Sequence, residues 1–365
     1  MNAAQRAIIE GDLAEIAERV GPAFDALEGA RILITGASSY ITSYMADGVA
    51  WLNDHRFARP ARLVALVRSP VTADSRLGHL LGRPDVEIIQ QDVSAPLRLE
   101  RPVDYVIHAA SNASPQRYLA NPLDTMDANV VGTRQLLELA RASDARGFLF
   151  FSSSEVYGDV PDDAYPTPET YPGQVDATNP RACYAEAKRY GETLCLAFWR
   201  QHGVPVKVAR VFFTYGPGLA LDDGRIMADL MRSRFAGEPL RLFSDGRGVR
   251  AFSYTADSVT GFWKALLGPH GGEVFNVGSD RAVTIHELAR RFARLEAPEL
   301  EIVFPPQAQA YLQGAPSRVC PDLGKARRML DYAPAVGLDE GLGRWLRWLR
   351  AGAVDGDVAE PEPSE

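Results

Sequence analysis

The sequence predicts an α/β protein with a doubly wound parallel sheet and a smaller α+β lobe. Short apolar, β-branched runs alternate with helical patterns through the first half of the chain. These runs are apolar throughout, which is typical of parallel strands covered by helices on both faces. The alternation ends after 214–218, and the length of 365 residues allows two domains. The pattern therefore predicts a Rossmann-type sheet followed by a second lobe.

The first part of the chain carries the regular alternation. Apolar residues at helical spacing predict an N-terminal helical extension over 1–28. The predicted strands are 31–35, 61–67, 86–93, 103–110, 147–154 and 204–213, and the predicted helices are about 40–53, 122–142 and 181–202. Because nucleotides bind at the carboxyl ends of such strands, 29–213 is predicted to be a dinucleotide-binding domain.

The second part is less regular. Its patterns predict helices near 224–236, 284–295 and 338–351 and short strands at 239–243 and 273–277. We expect 214–352 to form mainly a substrate-binding lobe, with some segments returning to the first domain. The end, 353–365, is acidic and Pro-rich without periodicity, which predicts a disordered tail.

Composition limits the partners. The net charge is −8, from 39 Lys+Arg against 47 Asp+Glu, which disfavours a nucleic-acid surface. No apolar run approaches about 18 residues and the N-terminus lacks an apolar signal core, so neither a membrane partner nor secretion is expected. Cys183, Cys195 and Cys320 form no CxxC pair. This spacing favours a cytoplasmic protein without a disulfide framework or a metal site.

The first candidate site is the turn after the first strand. Gly36 precedes a predicted helix, whose backbone N–H groups and dipole can hold a diphosphate. Glycines are expected at three positions here, yet Ser39 and Thr42 occupy two of them, and Ser39 crowds the pyrophosphate. An ordinary strand–helix turn explains the pattern about as well. The predicted cofactor contacts in the turn are Gly36, Ser38, Ser39, Tyr40 and Ile41.

The second candidate site lies at the next strand ends. No acidic residue follows the second strand to accept hydrogen bonds from a ribose. Arg68 instead is compatible with a 2′-phosphate of NADP, with stacking on adenine, or with plain solvation, so NAD and NADP both remain open. Asp92 and Val93 are predicted adenine contacts, although a strand-end Asp is more often a cap. Ala109, after the fourth strand, completes the predicted cofactor set.

The third candidate site decides the functional prediction. Ser153 closes the fifth strand, and Tyr184 and Lys188 lie four residues apart on one face of a predicted helix. A Lys ammonium and a positive nicotinamide would lower the pKa of the Tyr phenol. Tyr184 then acts as a general base on a hydroxyl while a hydride leaves the same carbon, and Ser153 hydrogen-bonds that oxygen.

At these residues the chain resembles the extended short-chain dehydrogenase/reductases, the NAD-dependent epimerase/dehydratase group that acts on nucleotide sugars. The resemblance covers about 29–350. Within the group it is closest to the UDP-glucuronate decarboxylases (UDP-xylose synthases). The motifs that carry it are His108–Pro115, Phe151–Gly158, Pro180–Lys188, Thr214–Pro217 and Arg250–Asp257. It implies that Ser153, Tyr184 and Lys188 are catalytic, that NAD oxidises the sugar transiently at C4, and that the protein is a homodimer.

Glu155 discriminates within the family that the chain resembles. The 4,6-dehydratases carry an Asp-Glu pair after the catalytic residue, whereas this chain has Ser154-Glu155. Simple 4-epimerases usually lack this carboxylate, so Ser-Glu favours decarboxylation through a 4-keto intermediate. An epimerase or 4,6-dehydratase of the same superfamily remains an alternative, as does a non-catalytic dinucleotide-binding scaffold. A purely structural capping role for Glu155 also remains open.

The resemblance also implies substrate contacts. Arg225 and Arg250 match family positions near the nucleotide diphosphate, and Arg318 matches the region of an Arg that engages the sugar carboxylate. Phe213 stands where the family has an Asn that contacts phosphate. The full set of predicted substrate contacts is Ser111, Ser114, Tyr118, Ser154, Thr214, Arg225, Arg250 and Arg318. His108 is predicted to be a satisfied core residue, not a metal ligand.

Overall fold

The computed structural model describes residues 1–304 and 316–353. The α-helices are α1 (Ala3–Val20), α2 (Tyr40–His55), α3 (Pro115–Ala120), α4 (Pro122–Ala142), α5 (Ala182–His202), α6 (Ile226–Ala236), α7 (Thr255–Leu267), α8 (Ile285–Arg294), α9 (Gly324–Leu330) and α10 (Leu338–Ala353). Short 3-10 helices cover Gly21–Leu27, Gly78–Leu80, Ser154–Tyr157 and Asp162–Ala164. The predicted acidic tail lies outside the described residues, apart from Ala353.

The strands are β1 (Arg31–Thr35), β2 (Arg62–Val67), β3 (Val86–Gln90), β4 (Tyr105–His108), β5 (Gly147–Ser153), β6 (Val206–Val211), β7 (Thr214–Tyr215), β8 (Leu240–Arg241), β9 (Val249–Ala251), β10 (Ser253–Tyr254), β11 (Glu273–Val277), β12 (Ala282–Thr284), β13 (Ile302–Val303) and β14 (Arg318–Val319). Several predicted strands extend past the observed carboxyl ends, because the chain leaves the sheet there to form the turns of the site.

A seven-stranded parallel sheet in the order β11-β6-β5-β4-β1-β2-β3 forms the centre of the protein. β1 pairs with β2 on one side and with β4 on the other, so the strand order reverses at β1. A crevice opens at such a switch point, at the carboxyl ends of the strands. The predicted doubly wound sheet is confirmed.

Both faces of the sheet are covered by helices. Side chains alternate between faces along a strand, and in β1 Ile32 and Ile34 join one core while Leu33 joins the other. Helices α1, α2 and α7 cover the first face, and α4 and α5 cover the second. This double burial explains why the strands are apolar at successive positions.

The second part of the chain does not stay apart from the sheet. β11, from the second part, pairs in parallel with β6 and forms one edge of the main sheet. The remaining strands form small sheets in the orders β10-β7, β12-β9-β14 and β13-β8. The division into domains at 213 and 214 stays a prediction.

The N-terminal helix α1 packs against α2, α7 and α10. Its buried Asp12 accepts hydrogen bonds from Tyr44 at 3.1 Å and Tyr254 at 2.7 Å and pairs with Arg344 at 2.9 Å. One carboxylate on the extension therefore joins α2, β10 and α10. Over 1–304 and 316–353, no helix is long and apolar enough to cross a membrane.

Candidate active site

The candidate site lies at the carboxyl edge of the central sheet. The turn at Gly36 follows β1, Ala109 follows β4, and Ser153 ends β5. These three strands are neighbours in the sheet, so the residues predicted separately for the cofactor and for catalysis come to one edge.

The turn after β1 brings two backbones close together. Gly36 has φ +65°, and a Cβ added there would lie 2.9 Å from Ala110 Cα. Only glycine satisfies both the left-handed conformation and this close approach. Thr35 Oγ1 accepts from the N–H groups of Ala109 and Ala110 at 3.3 Å each, which fixes the approach of β4. This narrow turn before α2 fits the diphosphate of a dinucleotide.

The two residues that replace glycines bond to each other. Ser39 Oγ lies 2.7 Å from Thr42 Oγ1, and Thr42 Oγ1 donates to the Gly36 carbonyl at 2.6 Å. Ser38 carbonyl oxygen accepts from Arg76 at 3.4 Å, and Ile41 is half-buried against the core. Ser39 is thus tied back onto its own helix, and the side chains that crowd the turn also stiffen it.

The predicted adenine region lies at the ends of β2 and β3. Asp92 Oδ1 accepts from Ser94 N at 2.8 Å and from Ser94 Oγ at 2.6 Å, and these bonds together with the Arg68 charge lower the pKa of Asp92. Arg68 is exposed, and Val93 is buried against Gly132. The two charged residues are near one another, and their contacts to a cofactor stay predictions.

Ser153, Tyr184 and Lys188 form one buried cluster. Tyr184 and Lys188 lie on the same face of α5, with Lys188 Nζ 5.7 Å from the centre of the Tyr184 ring. Lys188 Nζ donates to the Phe151 carbonyl at 2.6 Å. Ser153 Oγ accepts from Glu155 N at 3.2 Å and also hydrogen-bonds the Tyr184 hydroxyl. The structure places the predicted catalytic residues together.

Burial dominates the pKa values of Tyr184 and Lys188 in this cluster. Burial raises the pKa of Tyr184 and the Glu155 charge raises it further, whereas the Ser153 hydrogen bond and Arg225 lower it. Burial also lowers the pKa of Lys188 to about 7. In the protein without a dinucleotide, desolvation therefore outweighs the effect of Lys188 on the Tyr184 pKa, and the predicted joint effect of Lys188 and a positive nicotinamide stays a prediction.

Two residues hold Glu155, and neither contact was predicted from the sequence. Tyr118 Oη donates to Glu155 Oε2 at 3.1 Å, and Arg181 Nη2 donates to Oε1 at 3.1 Å. Tyr118 is fully buried, and its ring lies parallel to that of Tyr184, with 5.1 Å between centroids. Burial raises the pKa of Glu155, while Arg181 and Tyr118 lower it.

Arg181 is the residue that sequence reasoning missed. It stands one helical turn before Tyr184 in the motif that carried the resemblance, and this position was the available signal. Its pairing with Glu155, 26 positions away, depends on the tertiary structure. The contact of Tyr118 with a sugar stays a prediction, since the described hydrogen bonds of its hydroxyl go to Glu155.

The predicted substrate residues other than Tyr118 divide into three groups. Ser114 Oγ donates to the Asp223 carbonyl at 3.3 Å, and Asp223 pairs with Arg225, with Nη2–Oδ2 at 3.1 Å. Burial raises the pKa of both Tyr184 and Tyr40, and the Arg225 charge opposes this rise in each, so the guanidinium is near both α5 and the β1–α2 turn. Tyr40 itself hydrogen-bonds Thr255 through its hydroxyl.

The second group lies on the strands of the smaller sheets. Arg250 donates to the carbonyls of Pro316 at 2.6 Å and Ser317 at 3.0 Å, and its Cζ lies 5.7 Å from the Phe213 ring centre. Arg318 pairs with Asp162. Neither Arg is placed on a ligand by these contacts, so their roles stay predictions.

The remaining predicted residues have local partners. Ser111 Oγ accepts from Asn129 Nδ2 at 2.8 Å, and Thr214 Oγ1 donates to the Phe212 carbonyl at 3.1 Å. Ser154 is half-buried in the 3-10 helix after β5. His108 is buried between Thr35 at 2.9 Å and Thr133 at 3.1 Å, as expected for a satisfied core histidine.

Comparison with known proteins identifies the family. Residues 32–278 match the NAD dependent epimerase/dehydratase family. The chain belongs to this family. A UDP-glucuronic acid decarboxylase 1 of Xenopus tropicalis is 37% identical over 321 residues, covering 88% of this chain and 72% of that protein. The resemblance seen in the sequence is confirmed, and the chain is an NAD-dependent nucleotide-sugar enzyme.

Solved structures show the same epimerase/dehydratase fold. An epimerase of Methanothermobacter thermautotrophicus superposes with a TM-score of 0.78 at 23% identity, covering 93% of this chain and 97% of that one. A dTDP-glucose 4,6-dehydratase of Streptomyces venezuelae, solved with NAD and TYD bound, gives 0.74 at 24% identity, covering 89% and 98%. At this identity the likeness shows the fold alone.

Proposed function

We propose that this family member decarboxylates UDP-glucuronate by transient oxidation at C4 with bound NAD. The observation that carries the proposal is the contact of Glu155 with the Tyr184 cluster, with Ser154 standing beside it instead of a second acid. The identity of 37% to a protein named UDP-glucuronic acid decarboxylase supports the same substrate.

The turn at Gly36 and the ends of β2, β3 and β4 supply the groups that hold NAD. The N–H groups at the start of α2 would hold the diphosphate, Arg68, Asp92 and Val93 would contact the adenosine, and Ala109 would contact the nicotinamide half. When bound, NAD would supply the oxidant for C4 of the sugar. Its positive ring also adds the charge that favours an ionised Tyr184.

The chain's own residues move the protons. Tyr184 takes the proton of the C4 hydroxyl, Ser153 hydrogen-bonds the same oxygen, and Lys188 lies beside the Tyr184 ring. Once C4 is a ketone, the carboxylate on C5 is that of a β-keto acid. It then loses CO2, because the electron pair left on C5 delocalises onto the ketone oxygen.

Ser154 and Glu155 separate this chemistry from its alternatives. Water elimination from C6 needs an acid to protonate the leaving hydroxyl, and a serine at position 154 cannot serve as that acid at neutral pH. An epimerase needs no carboxylate for its redox step, whereas Glu155 lies against Tyr118, which in turn stacks on Tyr184.

Fixed cations and hydroxyls hold the substrate. We propose that Arg225 and Arg250 bind the nucleotide diphosphate and that Arg318 faces the sugar carboxylate, since guanidinium groups bind such oxyanions with paired donors. The proposed hydroxyl contacts are Ser111, Ser114, Tyr118, Ser154 and Thr214.

A homodimer in the cytoplasm is proposed as the working form. Leu123 and Tyr190, on the packed helices α4 and α5, are 73% and 48% exposed, which is high for apolar groups. The cysteines Cys183, Cys195 and Cys320 are free, which suits a reducing compartment.

Sedimentation tests the dimer. We expect a Leu123→Glu/Tyr190→Glu variant to sediment as a monomer. The control Leu81→Glu, on a distant exposed loop, should sediment as wild type. A monomeric wild type contradicts the dimer.

The test of function is a product assay. Holoenzyme is incubated with UDP-glucuronate, CO2 release is measured, and the mass of the sugar nucleotide is determined. Loss of one CO2 supports the proposal, loss of water indicates a dehydratase, and a new sugar of unchanged mass indicates an epimerase. No product and no dinucleotide released on denaturation would indicate a binding scaffold.

A further inference from the structure

The Arg181 guanidinium has hydrogen-bond donors that remain available beside Glu155. Arg181 precedes α5 by one residue, and its side chain is 16% exposed. Over the described residues the guanidinium makes one hydrogen bond, from Nη2 to Glu155 Oε1, and one ring contact, with Cζ 5.7 Å from the centre of Tyr118. A guanidinium has five N–H donors and prefers to hold a carboxylate with two of them. The bond to Glu155 therefore leaves most of its donors available.

The charge on Glu155 depends on this one cation. The titratable and charged groups that face Glu155 are Tyr118 from α3, Arg181 at the N-cap of α5, and Cys183 and Tyr184 from α5. Burial raises the pKa of Glu155, and Arg181 is the only cation in this described set. If Arg181 turned to another carboxylate, Glu155 would keep neutral hydrogen-bond donors in a desolvated site, and its protonated form would be favoured.

A second guanidinium adds to the attraction for an anion. Burial and, to a smaller extent, the Arg181 charge lower the pKa of Arg250 to about 10, which places the two cations close enough to repel. The N–H groups of Arg250 are bonded to backbone carbonyls, which do not neutralise it. A sugar carboxylate bound at Arg181 relieves this repulsion, whereas a neutral hydroxymethyl group does not.

We propose that Arg181 exchanges Glu155 for the C5 carboxylate of the substrate, which it binds together with Arg318, and that Glu155 then takes a proton from solvent and delivers it to C5 after CO2 leaves. This inference rests on the proposed decarboxylase function and assigns its proton source. Arg181 acts on the substrate as a specificity-determining residue and on Glu155 as a positioning residue.

The steps balance in protons and electrons. On binding, the Glu155 carboxylate gains one solvent proton as its ion pair with Arg181 breaks. After oxidation at C4, the C5–carboxylate bond breaks, CO2 departs, and the electron pair becomes the C4–C5 enolate. C5 takes the proton of Glu155, which restores the ketone, and the regenerated carboxylate pairs with Arg181 again. The single proton consumed by decarboxylation thus enters through Glu155.

Proton uptake on binding tests the exchange. The Tyr184→Phe holoenzyme binds substrate without turning it over, and calorimetry in two buffers of different ionisation enthalpy counts the protons. We expect uptake of about one proton per site with UDP-glucuronate near pH 7 and none with UDP-xylose, which has no carboxylate. The Glu155→Gln/Tyr184→Phe double variant should take up none with either ligand. UDP-glucuronate binding without uptake, or uptake that persists in the double variant, overturns the exchange.

A second variant tests Arg181 directly. In the Tyr184→Phe background, Arg181→Gln should weaken UDP-glucuronate binding by about 10- to 100-fold, with a much smaller change for UDP-xylose. Arg200→Gln, at the exposed far end of α5, is the matched control and should change neither. Equal loss for both ligands contradicts a role in carboxylate recognition. If wild type releases CO2 while proton uptake is absent, this inference falls alone; if wild type releases no CO2, the proposed function falls.

Discussion

At the scale of single residues, Tyr118 links the two reactive groups of the site. Its ring stacks on Tyr184 and its hydroxyl donates to Glu155. The negative charge on Glu155 and burial both raise the pKa of Tyr184. A positive cofactor ring and a neutralised Glu155 therefore act in the same direction, because each removes a penalty on the tyrosinate.

Removing the Tyr184 hydroxyl should stop the reaction. Tyr184→Phe keeps the ring that stacks on Tyr118, so we expect an unchanged melting temperature. We also expect kcat to fall by about 10²- to 10⁴-fold, which is the effect of losing a general base. CO2 release is the measurement, and Tyr190→Phe on the exposed side of α5 is the control. Retained activity would count against Tyr184 as the base.

Neutralising Glu155 should trap the oxidised sugar. Glu155→Gln keeps a similar shape but cannot deliver a proton to C5, so reduced cofactor should accumulate after C4 oxidation. Nicotinamide absorbance during a single turnover measures this accumulation, and Glu238→Gln on an exposed loop is the control. A time course like that of wild type would assign Glu155 a structural role only.

At the scale of elements, the β1–α2 turn shows how a departure from a glycine motif is accommodated. Ser39 and Thr42 replace glycines, but their hydroxyls bond to each other and to the Gly36 carbonyl. The one glycine that remains is the one whose position admits no side chain, 2.9 Å from Ala110 Cα. The motif thus keeps glycine where backbone approach demands it.

Gly36→Ala should release the cofactor. The substitution adds a left-handed strain of about 1–2 kcal/mol and a contact with Ala110 that the sheet cannot relieve. We expect less co-purified dinucleotide and a lower melting temperature. Gly203→Ala, with φ +71° and open space around it, carries the strain alone and should retain the cofactor. Equal cofactor loss in both variants would contradict the close-approach argument.

At the scale of the whole molecule, α1 packs against α10, so the first and the last of the described helices are in contact. Asp12 accepts from Tyr44 of α2 and Tyr254 of β10 and pairs with Arg344 of α10. Burial raises the pKa of Asp12 to about 6 from an ordinary value of 3.8. The folded protein therefore binds a proton here more tightly than the unfolded chain does.

This carboxyl gives stability a defined pH dependence. Because its folded pKa is raised, its contribution is most favourable at low pH and is lost as the pH rises from about 4 to about 6. Asp12→Asn should remove that dependence, so the free energy of unfolding of wild type relative to the variant should fall by about 2 kcal/mol between about pH 4 and about pH 8. Urea unfolding measures it, with Glu10→Gln on the exposed face of α1 as the control. A constant difference across this range would exclude the effect.

The sequence by itself determined the sheet, since strands buried on both faces must be apolar at every position, and it determined the spacing of Tyr184 and Lys188 on one helical face. It also placed Ser153 at a strand end. Only the tertiary structure decided that Arg181 and Tyr118 hold Glu155, that β11 closes an edge of the main sheet, and that Tyr184 has a raised pKa. Periodicity records which side of an element is buried, whereas contacts between distant segments and the desolvation they cause exist only once those segments pack together.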